Sequence, residues 1–293
     1  MDVIKDELAN TIYDYSINKR YIDKELIEKL LKKLIDKFDI KDYVRKYRII
    51  SIEENNARAV YRIENRCIDI DIFNTINTIL NRINKEDIRS TDVTKYLKVN
   101  LDILHVIIHE LVHATQYKRC LEKENDLEKN ILELTLKGNI DILNNKYISK
   151  EMTKYYNIQH DILLNPVCYK TKPCERMADM KGLEYVRNIS KLYNLDDVEA
   201  YFEIKYLMSK IRGYSDISPT SYVIYINESL KAELGLPHEE TDYYKIEDMY
   251  KKESKRRNLS LDDRLYFGLP IDEDEKEIIM QEIKQVKRKI FKY

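Results

Sequence analysis

The stretch that most constrains the fold is residues 101–116, Leu-Asp-Ile-Leu-His-Val-Ile-Ile-His-Glu-Leu-Val-His-Ala-Thr-Gln. Its apolar residues fall on nearly every side of a helix, and a helix that is apolar all round is buried. It nevertheless carries His109, Glu110 and His113. Histidines four residues apart lie one turn apart on the same face, so both imidazoles can reach one metal ion. Glu110 stands about 100° round from His109, where its carboxylate can take a proton from water beside that ion. Unpaired polar groups in such a place each cost about 1–3 kcal/mol, and a metal satisfies all three. His105 offers a second pair with His109. Val106 follows it, however, so that pair lacks the base. His105 and His113 are also about 12 Å apart along a straight helix, and His105 is read as a core histidine or one bonded around the ligands.

Zinc catalysis uses three protein ligands and leaves one position for water, so a third ligand is expected elsewhere. The best candidate lies in residues 172–186, Lys-Pro-Cys-Glu-Arg-Met-Ala-Asp-Met-Lys-Gly-Leu-Glu-Tyr-Val. Pro173 fits the first turn of a helix, and Glu175 and Asp179 share one face of it. Glu175 is the expected ligand. Asp179, one turn on, is expected to accept a hydrogen bond from a ligand histidine and set its tautomer. His160 ranks next as ligand, and Glu184, His238, Cys174 and Cys168 are the other candidates. A cysteine ligand would indicate a closed, structural zinc.

Around these motifs the apolar spacing changes twice. Residues 3–38 read as helical, with Ile22, Leu26, Ile27, Leu30, Leu34 and Ile35 on one stripe. Residues 47–52, 57–63 and 66–73 read as strands with turns at 54–56 and 64–65, which predicts a small antiparallel sheet. Ile68, Ile70 and Ile72 alternate with Asp69 and Asp71, so one sheet face is expected to be wet. A short helix at 74–84 precedes the histidine helix, which covers 101–121 and begins as early as 91. Helical stretches follow at 126–147 (interrupted near Gly138), 194–211, 220–234 and 272–293, and residues 157–166 end in a loop. The expected class is therefore α+β, with residues 1–190 holding the helices, sheet and motifs and 191–293 forming a helical region.

The 51 basic and 52 acidic side chains give a formal net charge of -1, which argues against a dedicated nucleic-acid binder. The basic end of the last helix, Lys287 to Lys292, reads as a solvated helix terminus that complements the helix dipole. The first residues lack the apolar segment of an export signal, and no run of about 20 apolar residues exists to span a membrane. Cys67, Cys120, Cys168 and Cys174 form no Cys-x-x-Cys pair and are expected to be free thiols. A cytoplasmic location follows as the expectation.

His109-Glu-Leu-Val-His113, followed downstream by Glu175-Arg-Met-Ala-Asp179, resembles the gluzincin metallopeptidases. The wording of the two motifs also looks like that of small cytoplasmic peptidases of phages and mobile elements. The resemblance covers roughly residues 100–187. It implies a zincin-like fold, a zinc ion held by His109, His113 and Glu175, Glu110 as general base, and Asp179 as the carboxylate behind a ligand. The metzincin extension is absent, since Gln116 and Arg119 stand where that family has Gly and His. Tyr169, His160 and His238 remain open as stabilisers of an oxyanion.

The expected function is hydrolysis of peptide bonds in a protein or peptide substrate by a metal-activated water. A second reading is a non-catalytic regulatory or partner-binding protein on the same scaffold. A third, a nucleic-acid-associated protein of a mobile element, rests only on scattered Lys and Arg.

Overall fold

The computed structural model describes residues 3–52, 57–85, 92–169 and 171–290. The turn expected at 54–56, a helix start near 91 and residues 291–293 lie outside the described residues. The chain is mixed α+β and mainly helical. It divides into two compact units, each assembled from separated stretches of sequence.

The first unit comprises residues 1–115, 181–206 and 283–293. It opens with α1 (Val3–Ile17) and α2 (Lys24–Lys37). The expected continuous helical region breaks between them, where Lys19 adopts a φ of 54° and Asp23 caps α2 by accepting from the Leu26 amide. The break is held from the middle of the chain. Asn100 accepts from the Ile22 amide at 2.9 Å and donates to Ser16 Oγ at 2.9 Å and to the Arg20 carbonyl at 3.0 Å. A buried amide with these partners met is stable in a core.

Three short strands follow: β1 (Lys46–Ile49), β2 (Ala59–Arg62) and β3 (Cys67–Ile70). The sheet order is β1-β3-β2, with β1 parallel and β2 antiparallel to β3. This corrects the expected all-antiparallel sheet. β2 and β3 form a hairpin, and β3 inserts between β2 and β1, so it runs in the direction of β1. The other correction concerns the wet face. Asp69 is fully buried because Arg48 holds it through two bonds of 2.7 Å and Arg62 through a third of 2.7 Å. Burial alone would raise the Asp69 pKa, but the two guanidinium groups and the Cys67 thiol hold it down at about 2. Ile68 and Ile70 on the opposite face are fully buried.

The helix α3 (Ile72–Lys85) leads to α4 (Asp92–Leu121), whose residues 92–115 belong to this unit. Leu97, Leu101, Leu104, Ile107 and Leu111 of α4 have no exposed surface. The unit also includes the second half of α8 (Pro173–Ser190), a short turn at Lys191–Tyr193 and the first part of α9 (Asp196–Ile211).

The second unit comprises residues 116–180 and 207–282. It includes α5 (Leu127–Leu143), α6 (Lys150–Leu164), α7 (Pro166–Tyr169), α10 (Pro219–Glu233), α11 (Tyr243–Arg256) and α12 (Leu261–Phe267). It also holds most of α13 (Glu273–Ile290). The interruption expected near Gly138 does not occur. Gly138 stays helical, and a Cβ there would lie 2.8 Å from the Tyr156 ring. The glycine lets α6 approach α5 closely and does not break the helix. The loop expected at the end of 157–166 is the single residue Asn165 between α6 and α7. Gln159 of α6 donates to the Leu134 carbonyl and to Asn227 Oδ1, both at 2.8 Å, which ties α5, α6 and α10 together.

Candidate metal centre

The one-turn spacing on α4 does what the sequence predicts. His109 Nε2 and His113 Nε2 converge to 3.1 Å, with the rings edge-on at 85°. His113 is buried and His109 is partly exposed. His105, the next histidine toward the N-terminus, is buried and stands edge-on to His109 with ring centres 6.3 Å apart. Its space is made by Gly182 of α8, where a Cβ would meet His105 Cδ2 at 2.7 Å.

Glu110 is 7% exposed, and no donor among the described residues hydrogen-bonds its carboxylate.

The carboxylates of α8 are treated differently from one another. Tyr169, at the end of α7, donates its hydroxyl to Glu175 Oε2 at 2.5 Å. Asp179 is paired with the Arg212 guanidinium. Between them Arg176 points into the core of the second unit, 3% exposed. It donates to the Leu265 carbonyl at 2.9 and 2.7 Å and to the carbonyls of Lys210 and Arg212. Leu265 and Lys210 lie in the last turns of α12 and α9, where the helix dipoles are negative. Burial pushes the Arg176 pKa down, and these carbonyls carry the charge that a carboxylate would otherwise offset. The result is a fixed rotation of α8 about its axis.

Both helices are unbroken, and each touches the other near both ends of the motif. His105 lies against Gly182, and Gln116 Nε2 donates to the Cys174 carbonyl at 2.8 Å. The ligand atoms of His109, His113 and Glu175 all lie within 4.8 Å of one another, and so do those of His105, His109 and Asp179. Among the described residues no such group includes His160, Glu184, His238, Cys168 or Cys174. His160 is exposed beside Asp161, His238 is exposed with Nδ1 near the Leu236 carbonyl, and Glu184 pairs with Lys181. The four cysteines are free and buried. Burial pushes the Cys174 thiol up to about 11 and the Cys120 thiol up to about 12, which disfavours the thiolate a metal would need.

Several residues of this site escape sequence reasoning. Arg212 and Arg176 carry no local pattern that marks them. Tyr169 is named in the sequence for an oxyanion and is found bonded to Glu175. Gly182 is recognisable only as an isolated glycine within a helical pattern, a sign of close packing.

No family model matches the chain, and it matches no curated protein and no solved structure.

Proposed function

We propose that this chain is a zinc-dependent metallopeptidase of zincin-like fold that hydrolyses peptide bonds in a protein or peptide substrate. The observation that carries the reading is the 3.1 Å approach of His109 Nε2 and His113 Nε2 beside Glu110, whose carboxylate has no donor among the described residues. Two nitrogens on one tetrahedral zinc stand about 3.3 Å apart, so the pair already has the spacing of shared ligands. Two imidazoles and a carboxylate form a donor set suited to zinc.

Of the two groups on α4 and α8, His109, His113 and Glu175 fit better as ligands. Glu175 accepts a hydrogen bond from a neutral phenol. Asp179 is matched by the Arg212 guanidinium and has less to offer. Asp179 instead lies near the nitrogens of His105 and His109, in keeping with a carboxylate that orients a ligand ring.

Zinc bound there would lower the pKa of water to about 7 and polarise the scissile carbonyl. The chain's own contribution is Glu110, which takes the proton of the attacking water and returns it to the departing amine. A purely structural zinc has no use for a base, so a carboxylate directly beside the two imidazoles favours an enzyme over a regulatory scaffold. Among the described residues no helix is long and apolar enough to cross a membrane.

Metal analysis tests the reading. The purified protein is expected to carry about one zinc per chain, and His113→Ala is expected to abolish it. Unchanged zinc in that variant removes the assignment.

A further inference from the structure

We propose that Arg176 is a positioning residue that makes metal binding by Glu175 depend on the docking of α12 and the end of α9. The proposal rests on the reading of Glu175 as a ligand and extends it to helices outside the two motifs.

Arg176 follows Glu175 directly, so the two side chains leave α8 about 100° apart. Fixing the direction of one therefore fixes the direction of the other. The Arg176 guanidinium donates twice to the Leu265 carbonyl in the last turn of α12, at 2.9 and 2.7 Å. It donates once each to the carbonyls of Lys210 and Arg212 at the end of α9. The Tyr214 ring lies against it, with the ring centre 4.9 Å from Arg176 Cζ. All of these residues belong to the second unit. A guanidinium is a rigid planar fork, so bonds to three carbonyls leave it little freedom to turn.

Arg212 closes a loop. Its carbonyl accepts from Arg176, and its own guanidinium pairs with Asp179, three residues further along α8. The residue that follows α9 thus grips α8 at two points of its circumference. The receiving end of α12 is equally fixed. Thr220 Oγ1 donates to the Phe267 carbonyl at 2.6 Å, and the Thr220 amide donates to the Gly268 carbonyl at 3.0 Å. The Tyr214 hydroxyl donates to the Leu269 carbonyl at 2.6 Å.

The leverage follows from helix geometry. A carboxylate about 5–6 Å from the axis of α8 moves about 2 Å when the helix turns by about 20°. Metal–ligand distances hold to about 0.2 Å, so a small rotation is enough to lose Glu175 as a ligand. Cohesion alone would be served as well by an apolar side chain, because burying a charge costs free energy that apolar packing avoids. The charged fork instead selects one rotation of α8.

Arg176→Lys keeps the charge and loses the fork. Zinc affinity is measured by chelator competition on variant protein that retains the native circular dichroism spectrum, and is expected to fall about 10–100-fold. The coupling also runs the other way. Zinc is expected to slow hydrogen exchange of the α12 amides in wild-type protein beyond any change in α11, and to lose that effect on α12 in Arg176→Lys. The wild-type exchange measurement needs no variant, so it decides the matter if Arg176→Lys does not fold. Equal zinc affinity in folded Arg176→Lys overturns the proposal while leaving the metal site standing, and so does wild-type α12 exchange that ignores zinc. Wild-type protein that takes up no zinc overturns the metal reading itself, and the proposal with it.

Discussion

Asp102 and Glu110 are buried acids eight residues apart on the same helix, and the protein treats them in opposite ways. Asp102 receives the Tyr201 hydroxyl at 2.8 Å and the Lys205 ammonium, while Lys98 stands 5.6 Å from the Tyr201 ring centre. Burial alone would raise the Asp102 pKa, but Lys205 first, then His105 and Tyr201, hold it below the ordinary carboxylate range. Glu110 receives no such help from the described residues. A buried charge that is fully matched by its own chain is a structural device, and removing its partner is costly. An acid beside two imidazoles with no donor among the described residues is a candidate for chemistry. The same helix thus holds two acids in different surroundings.

The largest effect that would break this contrast concerns Glu110. Glu110→Gln is nearly isosteric and cannot act as a base. Cleavage of a diverse peptide library, with chelator controls, is expected to fall by at least about 10²–10⁴-fold, with zinc content unchanged. Equal rates for the two proteins, or cleavage that ignores the chelator, would take Glu110 out of the mechanism.

Next in size is Asp102→Asn. It takes the carboxylate away from the half-buried Lys205, and denaturant unfolding is expected to show a loss of about 3 kcal/mol. The same carboxylate gives a pH signature. Its folded pKa is depressed, so its contribution is complete above the unfolded value of about 3.9. That contribution is lost as pH falls through the lower, folded value. Wild type is therefore expected to lose stability more steeply than Asp102→Asn on acidification below about pH 4; parallel pH curves would contradict the assignment.

A smaller effect is expected at Gly182. The added methyl of Gly182→Ala meets the His105 ring at 2.7 Å, and overpacking of this kind costs about 1–3 kcal/mol. Thermal unfolding measures the cost, and an unchanged midpoint would show that α8 does not press on the histidines as described.

The smallest effect sharpens the contrast most. In metal-free protein, Glu110→Gln exchanges an unmatched buried charge for a neutral amide, and unfolding free energy is expected to stay within about 0.5 kcal/mol of wild type or to rise. A loss as large as that of Asp102→Asn would mean that Glu110 is a structural acid too.

The histidine pair was fully legible in the sequence, because it depends only on the pitch of a helix. The same local rules foretold the amphipathic face of α2, the strands that became β1–β3 and the start of α8 at Pro173. Contacts across the fold were not legible in this way. The break after α1 is held by Asn100, and β1 runs parallel to β3 because β3 inserts between its neighbours. Asp69 is buried under arginines from both flanking strands.

The sequence by itself determined which side chains can meet within one turn: His109 with His113, Glu110 beside them, and Glu175 one turn from Asp179. Tertiary structure alone decided the state of each group. It gave Asp102 to Tyr201 and Lys205, 99 and 103 residues away, Asp179 to Arg212, and Glu175 to Tyr169. The physical reason is one of range. Helical spacing is set by backbone geometry within a few residues, whereas the partner of a buried charge is whichever donor packing brings near, however distant it lies along the chain.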